Sequence, residues 1–478
     1  MKKLILKIFL FSILISVVIY NIDSYFVKDD PAFEKFEFYN KIEKNTVDVL
    51  FLGNSHLANG VNTKIINAKC KLNSYNLGLR ATNIFHTYFN LIEALKNQKP
   101  KLVVIENFTF LENAAESDFF NEEGKMFVKN FGAVHAKKPG KNKFEEINLV
   151  YKENKLYNFF NVFRGHENWS DLEDQSKVLY KYTSNKYKNK DFRDHYQSLK
   201  ILRKERASKI DNLKIKDTIN ISKDQEVFIK KIIELSEEHE FELLFVTIPF
   251  YNNYYAKVED QLKQVNKKLN AIIKEHTNVK AIDINTLGDF SRTYFMDEKP
   301  TRNQHLNFKG GIKATNILAN YINKEYNFNF NKINRFQPES FVYNKKAIDT
   351  LLEKGRILSN LERINGAKTN HLALAQGKSS VVLEGWMVIE NQDSKFTDFF
   401  VALEKDEDFI LVRPMHVRKK RKDVSKFFKK EEIYDHAGFK LEIDSELLEK
   451  GNYSIVLIIR DENGKVLLKR VNKTIEIL

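Results

Sequence analysis

Short apolar runs alternate with longer amphipathic stretches from residue 47 to about residue 323. The apolar runs have the length of buried strands, and the longer stretches repeat apolar residues at helical spacing. This alternation predicts an α/β domain with a mainly parallel sheet, because parallel neighbours need a crossover helix. The predicted strands are Val47 to Leu52, Leu102 to Ile105, Leu243 to Ile248 and Val279 to Ile284. The predicted helices are Asn83 to Asn97, Asp224 to Glu240, Tyr255 to His276 and Gly310 to Tyr321.

A polar stretch from Leu111 to Ile219 interrupts this alternation. It is rich in Lys, Asn, Tyr and Phe, and it is far longer than an ordinary connection between two elements. We expect a helical insertion here, placed to cover a site.

The pattern changes again towards the C-terminus. Residues 331 to 370 predict a mixed, mainly helical connecting segment, and residues 371 to 478 predict an antiparallel β-sandwich as a second domain. Turn residues stand where hairpins need them, at Glu462-Asn463-Gly464 and Lys450-Gly451-Asn452. The predicted strands are Val381 to Ile389, Phe399 to Leu403, Phe409 to Val412, Phe439 to Ile443, Tyr453 to Arg460 and Val466 to Val471.

Residues 1 to 26 have the pattern of a membrane-targeting segment. Lys2 and Lys3 precede an apolar stretch whose charge-free part is Ile8 to Tyr20. No small-x-small cleavage site follows, which favours an uncleaved signal anchor over a cleaved signal peptide. The positive-inside rule puts the basic end in the cytoplasm. We therefore expect a single-pass protein of the cytoplasmic membrane, with its bulk on the periplasmic or extracellular side and no nucleic-acid partner.

The net charge of the 478 residues is +14, and it is unevenly distributed. Residues 411 to 430 hold nine Lys or Arg and one acid, so this run carries +8 of the total. It is either a solvated loop or a surface for an anionic glycan or lipid head groups. The single cysteine, Cys70, excludes an internal disulfide and a cysteine-cluster zinc site. The histidines show no metal-ligand spacing, and we expect neither a metal nor a cofactor.

The first predicted strand leads into Gly53-Asn54-Ser55-His56. A serine at the carboxyl end of a parallel strand, beside a helix N-terminus, is placed as a nucleophile near amides that stabilise an oxyanion. The same serine also suits a helix N-cap. A serine nucleophile needs a base, and His305, in the polar loop before the last helix of the domain, is the best candidate.

These motifs together resemble the SGNH, or GDSL-like, hydrolase and acyltransferase superfamily. The Gly-x-Ser turn, the Asn76-Leu77-Gly78 turn and the His-Leu-Asn-x-x-Gly stretch that begins at His305 occur in the family's order. The resemblance covers residues 47 to 323 and is closest to envelope branches such as alginate O-acetylation and teichoic-acid D-alanine transfer proteins. It implies a flavodoxin-like three-layer domain over residues 40 to 330. It also implies an oxyanion hole of Ser55, Gly78 and Asn107.

Two departures from the family pattern leave alternatives open. Arg302 and Asn303 stand where the family places an aspartate, and the nearest upstream acids are Asp297 and Glu298. Asp297 could orient His305, Asn303 could do so as a neutral partner, or the site could work as a Ser-His dyad. In the third block, Glu106 precedes Asn107 in place of the usual glycine, so Glu106 is an alternative functional group. His56 and His86 are expected to be structural or to face substrate.

The function that the resemblance implies is acyl transfer, with acetyl as the acyl group, to a bacterial cell-envelope polysaccharide, or ester hydrolysis on it. Transfer is preferred, and a membrane-embedded acyl donor protein is an implied partner. The C-terminal sandwich is a hypothetical sugar-binding or positioning module. The alternative is a non-catalytic, glycan-binding envelope scaffold with a degenerate SGNH domain.

Overall fold

The computed structural model describes the chain in separate ranges. They are residues 2–26, 31–70, 72–80, 82–107, 132–151, 154–164, 201–214, 220–300, 304–326, 342–344, 355–376, 380–394, 397–405, 408–412, 420–445, 448–461 and 465–478. Much of the predicted insertion, the connecting segment before residue 342 and the basic residues 413–419 lie outside these ranges, as do Asn303 and the turn Glu462-Asn463-Gly464.

The first part of the chain forms a five-stranded sheet in which every neighbouring pair is parallel. The predicted α/β architecture is therefore confirmed. The strands are β1 (Val49–Leu52), β2 (Ser74–Asn76), β3 (Leu102–Glu106), β4 (Glu242–Thr247) and β5 (Val279–Asp283). Four of them match predicted strands. The fifth, β2, was not predicted, because its three residues offer no apolar run.

The strands lie in the order β2-β1-β3-β4-β5. This is the strand order of flavodoxin-like doubly wound sheets. Strand β2 is added on one side of β1 and strands β3 to β5 on the other, so the topological switch point lies between β1 and β3. Ligands of such sheets bind outside the carboxyl ends of the strands at that switch point. The residues that follow β1 and β3 therefore occupy the position where a site is expected.

Helices pack on this sheet in two groups. The helix following residue 307 packs against the two short helices after β1, whereas the helix after β2 packs against the one before β4. The helices are α1 (Lys2–Ile22), α2 (Pro31–Lys41), α3 (Ser55–Gly60), α4 (Thr63–Cys70), α5 (Ile84–Leu95), α6 (Gly132–His135), α7 (Lys141–Val150), α8 (Lys155–Phe159), α9 (Asn161–Arg164), α10 (Lys204–Asp211), α11 (Lys223–Glu238), α12 (Asn252–Ile273) and α13 (Phe308–Glu325).

Helix α1 is long and apolar enough to cross a membrane, and it is the only such helix in the described ranges. Its apolar side chains from Leu4 to Val18 are exposed, as are Tyr20 and Ile22, so none of the described residues covers most of this helix. This fits a single membrane-spanning anchor followed by a folded region. A short 3-10 turn, Asp23–Phe26, follows directly.

The described residues between 132 and 214 form short helices, and several of their charged groups are buried. The Glu146 carboxylate binds Nδ1 of His86 at 2.7 Å and Nζ of Lys137 at 2.7 Å, and all three side chains are almost completely buried. His86 is thus fixed inside the fold by a structural pair. Lys143, one turn before Glu146 on α7, is fully buried, and its Nζ has no hydrogen-bond partner among the described residues.

Lys143 is expected to give the protein a distinctive dependence of stability on pH. Burial lowers its pKa from 10.5 to about 8, although the Asp23 carboxylate partly opposes the shift. Between these two pH values the unfolded chain holds a proton on Lys143 that the folded chain has released, so stability should rise with pH across that window. Thermal unfolding of the full chain from pH 7 to 10.5 measures this, with Lys143→Met as the comparison. The expectation fails if both proteins show the same pH profile.

The C-terminal part contains nine described strands, which are β6 (Val342–Asn344), β7 (Ile357–Ile364), β8 (His371–Leu374), β9 (Ser380–Ile389), β10 (Asp398–Lys405), β11 (Asp408–Val412), β12 (Gly438–Asp444), β13 (Gly451–Arg460) and β14 (Val466–Ile477). They form a six-stranded sheet in the order β6-β11-β10-β13-β14-β8 and a three-stranded sheet in the order β12-β9-β7. One helical turn, α14 (Lys422–Phe427), lies between β11 and β12.

Two features of this part differ from the sequence prediction. Strand β7 lies in the segment that was expected to be helical, so the strand-rich region begins before residue 371. Its apolar residues pack inwards against β9, while charged residues such as Glu362 and Arg363 between them obscured the pattern. The six-stranded sheet is also mixed, because β8 pairs with β14 in parallel.

The two parts of the chain share a hydrophobic contact. Phe308, the first residue of α13, belongs to the core formed by the C-terminal strands, and Ile312 packs on the same core. The helix that follows His305 is therefore held between the parallel sheet and the C-terminal strands.

Candidate active site

Ser55 lies where the buried strand β1 ends. Gly53 and Asn54 form the turn, and Ser55 is the first residue of α3. The N-cap role that the sequence allowed for Ser55 belongs to Asn54, whose side-chain oxygen accepts from the N–H of His56 at 2.8 Å. The Ser55 hydroxyl is thus available for other contacts. Its backbone N–H has no acceptor among the described residues.

A glycine is required in this turn for steric reasons. A Cβ atom on Gly53 would lie 2.7 Å from Cβ of Glu106 on the neighbouring strand β3. Any larger residue would therefore push the turn away from β3 and move Ser55 with it.

His305 contacts Ser55 directly. Its Nε2 lies 2.7 Å from the Ser55 Oγ, so the pair that sequence analysis proposed is brought within hydrogen-bond distance. The other ring nitrogen, Nδ1, lies 2.8 Å from Oε2 and 3.0 Å from Oε1 of Glu298. A carboxylate on Nδ1 favours the tautomer with the proton there, which leaves Nε2 as a proton acceptor for the serine. The three groups have the connectivity of a serine, histidine and acid triad.

Glu298 holds His305 at two points. Besides the ring contact, the His305 backbone N–H donates to Oε1 of Glu298 at 2.7 Å. The residues before Glu298 also pair with His305 and the residues after it. The N–H of Met296 donates to the His305 carbonyl at 2.9 Å, and the N–H of Asn307 donates to the Tyr294 carbonyl at 2.9 Å. The chain therefore returns antiparallel to itself, which brings Glu298 beside His305.

Two residues of the His-Leu-Asn-x-x-Gly stretch, Asn307 and Gly310, have structural roles. The Asn307 side chain caps α13 by accepting from the N–H of Gly310 at 3.0 Å. A Cβ atom on Gly310 would lie 2.1 Å from the Tyr294 carbonyl oxygen, which leaves room only for glycine. These residues fix the start of α13 against the segment that carries Glu298, and so they position His305.

Asp297 does not orient His305 in this structure, contrary to the sequence prediction. Its carboxylate binds Nε of Arg203 at 2.7 Å and Nη1 of Arg206 at 3.3 Å. Asp297 lies in a bend, across which the N–H of Glu298 donates to the Met296 carbonyl at 3.0 Å, so the two adjacent carboxylates have different partners. Glu298 faces His305, and Asp297 ties the loop to α10. The alternative partner Asn303 lies outside the described residues.

The two predicted oxyanion donors besides Ser55 already have acceptors. The N–H of Gly78 donates to Oδ1 of Asn76 at 2.9 Å, and Nδ2 of Asn107 donates to Oγ1 of Thr247 at 3.0 Å. A Cβ atom on Gly78 would lie 2.9 Å from the backbone nitrogen of Ala58 in α3. Gly78 therefore lies beside the helix that begins at Ser55, but its N–H does not point into an unoccupied space.

Glu106 is closer to the nucleophile turn than Asn107 is. Its fully buried carboxylate accepts from the N–H of Asn54 at 3.1 Å, and its other oxygen lies 3.8 Å from Nδ1 of His56. His56 is also buried, and its ring packs edge-to-face on the His305 ring with centroids 5.3 Å apart. Glu106 thus contacts the turn that carries Ser55, and His56 packs against the His305 ring. These contacts agree with a structural role for His56.

A lysine from α2, the helix that follows α1, reaches the same region, and the sequence did not predict it. Lys35 of α2 is buried, and its Nζ donates to the carbonyls of Gly78 at 2.7 Å and Asn76 at 3.1 Å. The backbone N–H of Leu79, the residue after Gly78, donates to the Gly53 carbonyl at 2.9 Å. The segment after α1 is therefore connected to the turn that carries Ser55.

Comparison with known proteins gave structural likenesses that include three distant ones. No protein-family model and no curated protein matches the sequence. A structure described as a platelet activating factor from Streptococcus pneumonia is 9% identical, with a TM-score of 0.31, over 64% of this chain and 99% of its own. A gut microbial diltiazem-metabolizing enzyme is 13% identical, with a TM-score of 0.18, over 90% of this chain and 72% of its own.

A third likeness is to the endo-beta-1,4-mannanase from Thermotoga petrophila, which is 8% identical. Its TM-score is 0.16, over 92% of this chain and 99% of its own. None of these similarities is close enough to bear on function. The functional conclusion therefore depends on the chemistry of the site itself.

Proposed function

We propose that this chain is a membrane-anchored serine acyltransferase or esterase that acts on a cell-envelope polysaccharide. Acyl transfer is favoured over hydrolysis, and acetyl is the favoured acyl group. The observation that carries the proposal is the contact series from Ser55 through His305 to Glu298, with distances of 2.7 and 2.8 Å. The helix α1 supports the placement of this site beside a membrane.

In the first half of the reaction, Ser55 Oγ attacks the carbonyl carbon of the acyl donor. The proton of Oγ passes to Nε2 of His305, and the positive imidazole is stabilised by the Glu298 carboxylate. The donor's leaving group departs with that proton, which leaves an acyl ester on Ser55. The N–H of Ser55 is placed to donate a hydrogen bond to the oxyanion. The N–H of Gly78 becomes a second donor when it releases the Asn76 side chain and binds the oxyanion instead.

In the second half, a sugar hydroxyl attacks the acyl ester. Nε2 of His305 takes the hydroxyl proton and returns it to Oγ of Ser55 as the ester bond to the enzyme breaks. The product is an O-acylated sugar and the original enzyme. Water in place of the sugar hydroxyl gives a free acid, and the protein then acts as an esterase.

The alternative is a non-catalytic glycan-binding scaffold that retains the SGNH-like domain. Its main support is the absence of an acid immediately before His305. The Glu298 contacts favour the enzyme over this alternative, because they supply an acid from a different sequence position.

The proposal is tested with the full-length chain in detergent or nanodiscs, using p-nitrophenyl acetate as acyl donor. Neutral, amino-sugar and uronic-acid oligosaccharides serve as acceptors, and mass spectrometry detects acetylated sugar. Sugar acetylation that depends on Ser55 supports transfer, whereas p-nitrophenol release without sugar acetylation supports the esterase. A folded protein that produces neither product would contradict the enzyme and leave the scaffold.

A further inference from the structure

The helical turn α14 presents an aromatic side chain to solvent. Phe427 is 77% exposed, the highest exposure of any large apolar side chain in the described ranges. Val424 and Ser425, on the other side of the same turn, are buried. Exposure of one phenylalanine would be unremarkable on a mobile tail. Here it belongs to a turn that the protein holds firmly, and we call residues 420–430 the Phe427 turn.

The Phe427 turn is fixed to the C-terminal sheets by charged and polar contacts. The Arg421 guanidinium binds Glu362 of β7 with two nitrogens, at 2.8 and 3.1 Å, and it binds Asp423 at 2.7 and 2.8 Å. Ser425 Oγ accepts from the backbone N–H of Tyr434 at 3.1 Å. A bidentate guanidinium pair has a defined geometry, so the direction of the turn is set.

Phe427 packs against other aromatic rings of the C-terminal part. Its ring packs edge-to-face on Phe428 with centroids 5.0 Å apart. Phe428 lies in turn 5.7 Å from both the Trp386 and the Tyr434 rings. Phe427 is therefore the outermost member of an aromatic cluster whose inner members belong to the hydrophobic packing of the sheet.

Exposed lysines lie on both sides of Phe427 in the sequence. Lys426, Lys429 and Lys430 are exposed beside it, and Lys420 and Lys422 are exposed at the start of the turn. Arg421 is paired with Glu362 and Asp423. Glu431 and Glu432, which follow Lys430, are acidic and exposed. From Lys420 to Glu432 there are six Lys or Arg and three acids, so the net charge is +3.

We propose that the Phe427 turn docks on the anionic lipid surface of the membrane that α1 spans. An apolar ring among lysines matches the composition of segments that lie in the lipid head-group region, where the ring enters the acyl boundary and the ammonium groups bind anionic lipids. The N-terminal anchor tethers the turn near that surface. A weak contact therefore benefits from a high effective concentration.

The neighbours of the ring favour a lipid surface over a glycan. Sugar recognition needs side chains that hydrogen-bond several hydroxyls in fixed directions, usually beside an aromatic ring. The exposed residues around Phe427 are lysines, which act as mobile point charges. The phenyl ring has no polar group of its own. An anionic glycan remains the competing partner, and the experiment separates the two.

The docking proposal does not depend on the Ser55 site, so the two can fail separately. The experiment uses the full-length chain in nanodiscs. It measures whether a labelled residue contacts lipid and does not measure catalytic activity. Phe427→Cys is labelled with an environment-sensitive NBD dye. The only native cysteine, Cys70, is buried, and burial raises the pKa of its thiol to about 12, so it does not compete for the label. Asn452→Cys, at an exposed position on β13, is the matched control site.

NBD emission at position 427 is expected to rise about twofold and shift to shorter wavelength in discs containing phosphatidylglycerol, and to change little in pure phosphatidylcholine. High salt should weaken the response, because it screens the lysines. The combined variant Lys426→Gln, Lys429→Gln and Lys430→Gln should abolish it, and the dye at position 452 should not respond.

A second reporter keeps the phenylalanine. The dye on Lys422→Cys should also respond to anionic discs, and Phe427→Ser in that background should remove the response. Equal responses at positions 427 and 452, or no response to anionic discs, would overturn the proposal. A response to soluble polygalacturonate that exceeds the response to anionic discs would assign the turn to a glycan instead.

Discussion

Replacement of Ser55 by alanine is expected to reduce hydrolysis of p-nitrophenyl acetate by the full-length chain to the uncatalysed background. The loss in kcat/KM should be about 10⁴-fold or more, because no covalent intermediate can form without Oγ. The measurement is a steady-state kinetic comparison of the two proteins in the same detergent. The substitution removes a single oxygen from the first turn of α3, where Asn54 supplies the helix cap, so folding should be retained.

Ser74→Ala is the matched control for this prediction. Ser74 is another buried serine, on the neighbouring strand β2, and its Oγ contacts Asn67 Oδ1 at 2.6 Å. We expect this variant to keep activity within a few-fold of the original chain. Activity that survives in Ser55→Ala, or an equal loss in both variants, would argue against Ser55 as the nucleophile.

The adjacent acids Asp297 and Glu298 give the second large prediction. Glu298→Gln should lower kcat/KM about 10²- to 10⁴-fold near neutral pH, since an amide can stabilise neither the imidazolium nor the required tautomer of His305. Asp297→Asn should stay within about fivefold, because that carboxylate contacts Arg203 and Arg206 instead. The measurement is the pH profile of kcat/KM for both variants.

The two substitutions are nearly isosteric and occupy neighbouring positions, so each controls for the other. If Asp297→Asn proved the more damaging change, the acid would have been assigned to the wrong residue. If neither variant lost activity, the site would work as a Ser-His dyad.

Hydrophobic periodicity was sufficient to locate most of the fold. The central strands β1, β3 and β4 are buried almost throughout, so they appear as continuous apolar runs. Strand β2 has only the three residues Ser74–Asn76, and two of them are polar, so no pattern marks it. Strand β7 was missed because polar and charged residues separate its buried apolar residues, and it lies in a segment that was expected to be helical.

The site could be predicted only as far as its motifs extend. Ser55 follows from its place after β1, and His305 follows from the His-Leu-Asn-x-x-Gly stretch. The acid could not be assigned, because Asp297 and Glu298 are equally near in sequence. Their difference arises from the antiparallel return of the chain at Phe295 and Leu306. Only the three-dimensional path determines which of the two carboxylates faces the imidazole.

Long-range contacts explain the remaining differences at the site. The amide of Asn107 is taken by Thr247, which is 140 residues away in sequence. Lys35 reaches the Gly78 carbonyl from α2, the helix that follows α1. No local pattern predicts such partners, because each depends on how separate elements pack around the sheet.

The most direct test of Ser55 activation by His305 is covalent labelling with a fluorophosphonate, followed by peptide mass spectrometry. We predict a single adduct on Ser55 of the full-length chain, absent in Ser55→Ala and formed at least about 100-fold more slowly in His305→Ala. An adduct at a different serine, or a rate at Ser55 that does not change when His305 is removed, would contradict the proposed active site.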